Sequence, residues 1–243
     1  MADRFLRRAC ASEIVRKFCA RAILEQGLVA EGDRILIAAS GGKDSTVMAW
    51  ALSSLRKSLK TNYELAALHI STDFCACCKK SELAEKLESW GITFTDFPVP
   101  VIGRLKPGRK MNCYWCSTQR RAELLKYAAE NGFNKIALGH HLDDIIETFF
   151  MNLCAKGDLT AMPAKLVYRK FPVTLIRPLA YLEETQIINC AAEQDILKAS
   201  CTCPYGAHSR RLDMRKKIAA FTGNSGAVKR RILRAVLGES GEN

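Results

Sequence analysis

Arg34-Ile35-Leu36-Ile37-Ala38-Ala39-Ser40-Gly41-Gly42-Lys43-Asp44-Ser45-Thr46-Val47-Met48-Ala49-Trp50-Ala51-Leu52 reads as a buried strand, a glycine turn and a helix in immediate succession. The apolar run is too short for a helix of its own and has no polar alternation, as expected of a strand covered on both faces. Two glycines let the backbone approach an anion with no Cβ in the way. Free N–H groups at the start of the following helix then face that anion, and the helix dipole favours negative charge. Lys43 adds a mobile cation, and the hydroxyls of Ser40, Ser45 and Thr46 add donors. The stretch therefore predicts a phosphate cradle, although Ser-Gly-Gly also occurs as an ordinary flexible turn. It lacks the longer glycine-to-lysine spacing of a Walker A loop.

Further strands are expected at 65–70, 92–97 and 135–138, with the first at 35–39. Helices are expected between and around them at 9–28, 45–60, 79–90, 119–130 and 143–154. This alternation gives an α/β fold with a parallel sheet flanked by helices. Ligands of such sheets bind outside the carboxyl ends of the strands, where Ser40–Ser45, Ser71–Cys78 and Gly139–Asp144 all fall. His69 lies on a strand ending at the same edge and joins the nucleotide-binding set. After Asn152 the pattern changes: 165–170 and 173–177 can pair as a short hairpin around Phe171-Pro172, and helices resume at 183–198, 210–222 and 227–237. The expected organisation is an N-terminal helix (1–28), a nucleotide-binding domain (29–200), and a cluster-ligand segment with a basic helical C-terminal extension (201–243).

The chain carries 37 Lys and Arg against 25 Asp and Glu, a formal charge of +12, which suits a polyanionic partner such as RNA. No apolar run reaches membrane-span length, and the N-terminal residues lack secretory character, so a cytoplasmic protein with no membrane role is expected. The basic, apolar N-terminal helix can support a homodimer. Eleven cysteines without an export signal argue for metal or sulfur chemistry rather than a disulfide framework. Cys10, Cys19, Cys154 and Cys190 fit helical apolar patterns as small core residues.

Cys113-Tyr114-Trp115-Cys116 can grip one metal or one edge of an iron–sulfur cluster. Cys201-Thr202-Cys203-Pro204 supplies further thiolates. Together the four can form a zinc site, or three can hold a 4Fe-4S cluster with one iron left open; spacing does not choose between them. Cys75-Ala76-Cys77-Cys78 is open to three readings: a second metal site, a sulfur relay or a chance cluster. In Gly139-His140-His141-Leu142-Asp143-Asp144, paired carboxylates after a strand can hold Mg²⁺, and the imidazoles can bind phosphate or carry a proton. The plainer alternative is a helix N-terminus whose acids complement the dipole. Arg120 and Arg121 suit a phosphate or the RNA backbone, with a solvated face as the plainer alternative.

Ser40–Ser45 resembles the SGGxDS signature of the PP-loop ATP pyrophosphatases. With Cys113–Arg121, Gly139–Thr148 and Ile176-Arg177-Pro178-Leu179, the chain is similar to the tRNA 2-thiocytidine synthetase family and its 2-thiouridine-forming relatives. Met162-Pro163-Ala164-Lys165-Leu166 is similar to that family's MPPKL stretch, and the likeness spans roughly residues 30–220. The resemblance implies an adenine nucleotide alpha hydrolase-like fold and a tRNA sulfurtransferase using ATP, Mg²⁺ and a 4Fe-4S cluster. It implies Lys43, Asp44, Asp143 and Asp144 as catalytic residues. It places ATP on Ser40, Gly41, Gly42, Lys43, Asp44, Ser45, His69, Gly139 and His140, and the cluster on Cys113, Cys116 and Cys203. ATP would activate the C2 carbonyl of a pyrimidine, and sulfide on the open iron, originating from a cysteine desulfurase or free sulfide, would displace AMP. The partner implied is tRNA. Two features depart from the relatives: no cysteine set precedes Ser40 as a zinc ribbon, and Cys201-Thr202-Cys203 stands where thiocytidine enzymes have C-x-x-C. A lysidine-type ligase would leave the cysteines without a use, and a zinc-stabilised RNA-binding protein would leave Ser40–Ser45 and Asp143-Asp144 without one.

Overall fold

A computed structural model describes residues 9–74, 80–196 and 210–238. Its centre is β1 (Asp33–Ala38), where Ile35, Leu36 and Ile37 are each at most 1% exposed. Burial on both faces is why this strand reads as a continuous apolar run. β2 (Tyr63–Thr72) pairs with it on one side and β4 (Lys135–Ala137) on the other, both parallel, with Ile37 opposite Ala67 and Ala137. β3 (Thr93–Val99) and β6 (Thr174–Ile176) extend the parallel set, and β5 (Lys165–Val167) closes one edge antiparallel to β6. The order is β3-β2-β1-β4-β6-β5. The expected hairpin is present, with its ladder confined to three residues on each strand.

Ile35 and Ile37 face an apolar cluster built with α1 (Ala11–Glu25), α2 (Lys43–Leu55), α5 (Leu142–Lys156) and α6 (Glu184–Glu193). α3 (Lys80–Ser89) joins the same side through Leu87. Leu36 points to the other face, where Leu125 and Ala128 of α4 (Cys113–Glu130) meet Leu68, Ile136 and Leu175. The stripe Val15, Phe18, Cys19, Ala22 and Ile23 commits α1 to the body of the fold and leaves Leu24 exposed outside. Burying a Val, Phe or Ile side chain stabilises by about 1.5–3 kcal/mol, so Val15→Asp would detach this helix.

The amino ends of the central strands are tied by a buried pair, Lys135 Nζ to Asp33 Oδ2 at 2.6 Å. Lys135 also donates to the Leu28 carbonyl at 2.6 Å, and Asn134 to Asp33 at 2.8 Å. The opposite, carboxyl ends stay open for a ligand.

α7 (Arg210–Thr222) and α8 (Gly226–Leu237) lie against α5. Their cations are partly consumed there: Arg215 Nε meets Glu147 at 2.6 Å and Lys229 Nζ meets Asp143 at 2.7 Å. Arg211 reaches Asp144 at 3.3 Å, and Arg230 pairs with Glu183. Lys216, Lys217, Arg231 and Arg234 remain exposed. Among the described residues, no helix is long and apolar enough to cross a membrane.

A candidate nucleotide-binding cleft

At the carboxyl end of β1 the chain turns through Gly41, whose φ of +79° is open to glycine at little cost, and enters α2 with Gly42 as the N-cap. Ser45 Oγ and Thr46 Oγ1 both donate to the Gly42 carbonyl, at 3.0 and 3.1 Å, and Ser40 Oγ lies 3.0 Å from Ser45 Oγ. The loop is thereby held in shape before any anion arrives. From β4 the neighbouring turn packs so closely that a Cβ on Gly139 would lie 2.9 Å from the Ser45 backbone nitrogen. Only glycine lets the two turns meet.

Between these turns and α4 opens a cleft of about 320 Å³. Ile70, Ile136, Leu138 and Leu175 contribute to its apolar floor; Ser40, Asp44, Ser45, His140, Asp144 and Arg120 contribute polar groups. The expected Ser40, Asp44, Ser45, Gly139, His140 and Asp144 therefore converge on one space.

Three expected residues face elsewhere. Lys43 turns to Glu184, 2.9 Å away, with Asp44 at 3.2 Å. Burial pulls its ammonium pKa down, but the bond to Glu184 and the charge of Asp44 outweigh this and leave it raised. Asp143 lines a second cavity of about 170 Å³ with Glu184, Arg215 and Lys229, and also accepts from the Glu184 backbone N–H at 2.8 Å. Burial pushes its carboxyl pKa up; the bonds from Lys229 and the Glu184 N–H, with the Lys229 charge, together more than reverse that, so it is lowered. His69 lies on the α1–α2 side, stacked on Phe94, and its Nδ1–H donates to the Ala39 carbonyl at 2.7 Å. Burial lowers its pKa, and Nε2 is left as an acceptor with no hydrogen-bond partner.

His140 is pushed down to about 4, first by burial and then by the positive charge of Arg177, so it is neutral at physiological pH. Asp144 caps its own helix, accepting from the His141 backbone N–H at 3.1 Å. Asp44 Oδ1 is buried without a hydrogen-bond partner, its nearest cation being Lys43. Mg²⁺ takes one or two carboxylates plus phosphate oxygens, a demand that Asp44 and Asp144, which line the cleft, fit better than Asp143, which lines the second cavity.

α4 begins at Cys113, a turn and a half earlier than its apolar spacing indicates, because Asn112 caps it by accepting from the Trp115 N–H at 2.9 Å. Cys113 and Cys116 thus share the first turn of a helix, on one face, with Cys113 exposed and Cys116 half-buried. One residue further, Ser117 enters the cleft wall, followed by Arg120 and Arg121. The donor chemistry fits a thiophilic metal group. Among the described residues, no three His, Cys, Asp or Glu side chains gather as a metal-binding group. The third expected ligand, Cys203, lies outside the described residues, as do Cys75, Cys77, Cys78 and Cys201.

Residues 12–200 match the family described as the PP-loop domain. The chain belongs to the PP-loop family. Within that PP-loop family it is 35% identical, over 91% of its length and 88% of the relative's, to the tRNA-cytidine(32) 2-sulfurtransferase of Geobacter sulfurreducens. The protein of the same name from Dichelobacter nodosus is 39% identical over 73% of this chain and 67% of its own. Among solved structures, the U34-tRNA thiolase NcsA from Methanococcus maripaludis, determined with its 4Fe-4S cluster, shares the PP-loop fold. It has a TM-score of 0.77 and 22% identity, covering 96% of this chain and 80% of that one.

Sequence reading takes the buried Glu147 and Arg177 only as members of the Gly139–Thr148 and Ile176–Leu179 stretches and gives them no role of their own; Glu184, which holds Lys43, it does not name. Glu184 reads as an ordinary acid in a first helical turn. A basic residue inside the apolar run Thr174–Ala180 was the available signal for Arg177.

Proposed function

We propose that this chain catalyses the ATP-dependent replacement of the C2 carbonyl oxygen of a tRNA cytidine by sulfur. One observation carries the reading: the glycine loop, the Gly139–Asp144 turn and the helix that begins with Cys113 and Cys116 all wall a single cleft. Cytidine 32, which the relatives' names specify, supports that position as the target.

ATP lays its phosphates on Ser40–Ser45, where the α2 N-terminus and hydroxyls receive them. Lys43 moves from Glu184 to the phosphates, and Asp44 with Asp144 would hold Mg²⁺, which offsets phosphate charge. The C2 carbonyl oxygen attacks the α-phosphorus; the bond from that phosphorus to the bridging oxygen breaks and pyrophosphate leaves. A carbonyl oxygen becomes a leaving group only after this adenylylation. Cys113, Cys116 and Cys203 would hold a 4Fe-4S cluster, which supplies the sulfur nucleophile when bound. In the displacement the C2–S bond forms, the C2–O bond breaks, and AMP carries the oxygen away. Neutral His140 serves as a hydrogen-bonding group beside the α-phosphate rather than as a charge. A cysteine desulfurase or free sulfide replenishes the sulfur, and the cytoplasm is the compartment this chemistry fits.

The test is mass spectrometry of tRNA nucleosides from cells with and without the gene, alongside iron analysis of anaerobically purified protein. Loss of 2-thiocytidine is expected, together with about four irons per chain, the iron content of one 4Fe-4S cluster. An unchanged thionucleoside profile would overturn the tRNA substrate. Zinc in place of iron would overturn the cluster.

A further inference from the structure

Arg177 follows β6 and is only 6% exposed, a full cation taken almost entirely out of water. Nη1 donates to the Pro163 carbonyl, but the Nε–H is buried without a hydrogen-bond partner. Among the described residues, the charges acting on it most strongly are Arg121, itself positive, and Tyr168; no carboxylate is among them. Burial brings its pKa down to about 10, which still leaves it protonated at neutral pH. A buried charge is tolerated when something pairs with it.

The register shows where that partner would sit. Ile176 pairs with Ala137, and the Leu138 N–H donates to the Ile176 carbonyl at 2.9 Å, so Arg177 runs alongside Leu138-Gly139-His140. Its charge acts on His140 in the cleft wall, and Arg121 stands exposed at the rim. His140 Nδ1 is also buried and unpartnered. His140 and Arg121 thus line one corner of the cleft, with Arg177 close by but not itself in the lining; Asp144 on the same wall acts on His140 but is not among the charges acting most strongly on Arg177. β6 stands two strands from β1, which puts this corner roughly 10 Å from the glycine loop at the usual strand spacing.

We propose that Arg177, with Arg121 and His140, forms a second phosphoryl-binding subsite on the β6 side of the cleft, separate from the glycine loop. Its occupant is a phosphodiester flanking the target nucleotide, and the subsite rests on the nucleotide-and-RNA reading above. That phosphodiester would supply an anion to a buried guanidinium on which no carboxylate acts strongly.

The experiment measures binding, not turnover, so it succeeds or fails independently of thiolation. Fluorescence anisotropy with an unmodified tRNA transcript and calorimetry with MgATP would compare the wild-type chain with Arg177→Gln, Arg177→Lys and Arg121→Gln. The RNA titrations would run from roughly 50 to 200 mM salt. If RNA occupies the subsite, Arg177→Gln and Arg121→Gln each weaken tRNA binding about tenfold and reduce the salt slope by about one, leaving ATP affinity unchanged. A loss confined to the MgATP titration would put the nucleotide there and overturn the phosphodiester assignment. A purely structural Arg177 would lower the melting temperature without moving the salt slope or the ATP affinity. Arg121 is exposed, so its variant folds whatever Arg177 does. Unchanged affinity for both ligands in Arg121→Gln, with only thermal destabilisation in Arg177→Gln, would overturn the proposal.

Discussion

Gly139 is placed against the start of α2 so tightly that one added carbon would overlap backbone atoms of Asp44 and Ser45. Backbone cannot swing aside as a flexible side chain can, so Gly139→Ala must push the two turns apart. The expected result is a loss of about 1–3 kcal/mol of stability and at least tenfold weaker nucleotide binding, read by urea titration and calorimetry. His140 makes a different prediction. Its folded pKa, about 4, lies below the ordinary value of 6.5, so the unfolded chain takes up the proton first. Its contribution to stability is therefore complete above pH 6.5 and is lost as pH falls toward 4. Melting temperature should fall more steeply across that window in the wild-type protein than in His140→Gln; parallel curves would show that His140 takes its proton in the folded state as easily as in the unfolded one. At this scale the glycine loop was legible because its chemistry is local. Arg177 and Glu184 were not, because their meaning depends on which distant residues fold up to them.

At the scale of the element, α4 decides how the cysteines meet the nucleotide. Periodicity places its start near Gln119, since Leu125 and Ala128 bury and Leu124 packs half-buried beside them. The first turn instead depends on a single side chain, Asn112, whose Oδ1 accepts from the Trp115 N–H. Asparagine before a helix is a readable cap, but an apolar-pattern search passes over a turn that faces solvent. Removing the cap by Asn112→Ala should cost about 1 kcal/mol and loosen the turn that carries Cys113 and Cys116. Faster amide exchange at residues 115–118 and poorer iron retention are the expected observations. Exchange equal to wild type would mean that tertiary contacts, such as the Trp115 Nε1–H donating to the Val101 carbonyl at 3.0 Å, suffice. The central strand, by contrast, falls where expected, because burial on both faces leaves an unbroken apolar signature.

For the molecule as a whole, the excess positive charge divides into two populations. Lys216, Lys217, Arg231 and Arg234 face solvent, while Arg211, Arg215 and Lys229 pair with acids of α5 and Arg230 pairs with Glu183, the N-cap of α6. A count of basic residues could not separate them, since pairing follows from packing. Glu147 shows the consequence most clearly: it is 1% exposed, burial raises its carboxyl pKa, and Arg215 is its principal counter-charge. Arg215→Ala should cost about 1–3 kcal/mol, and adding Glu147→Gln should recover much of the loss in urea denaturation. Equal losses in the single and double variants would show that the pair contributes through packing alone.

The same pairs carry a meaning for how the protein is made. A ribosome releases the chain from its amino end, so all six strands and the glycine loop emerge before α7 and α8 do. During that interval Asp143 and Glu147 lack the cations that later pair with them, so the half-built protein carries these two acids uncompensated until the last helices dock.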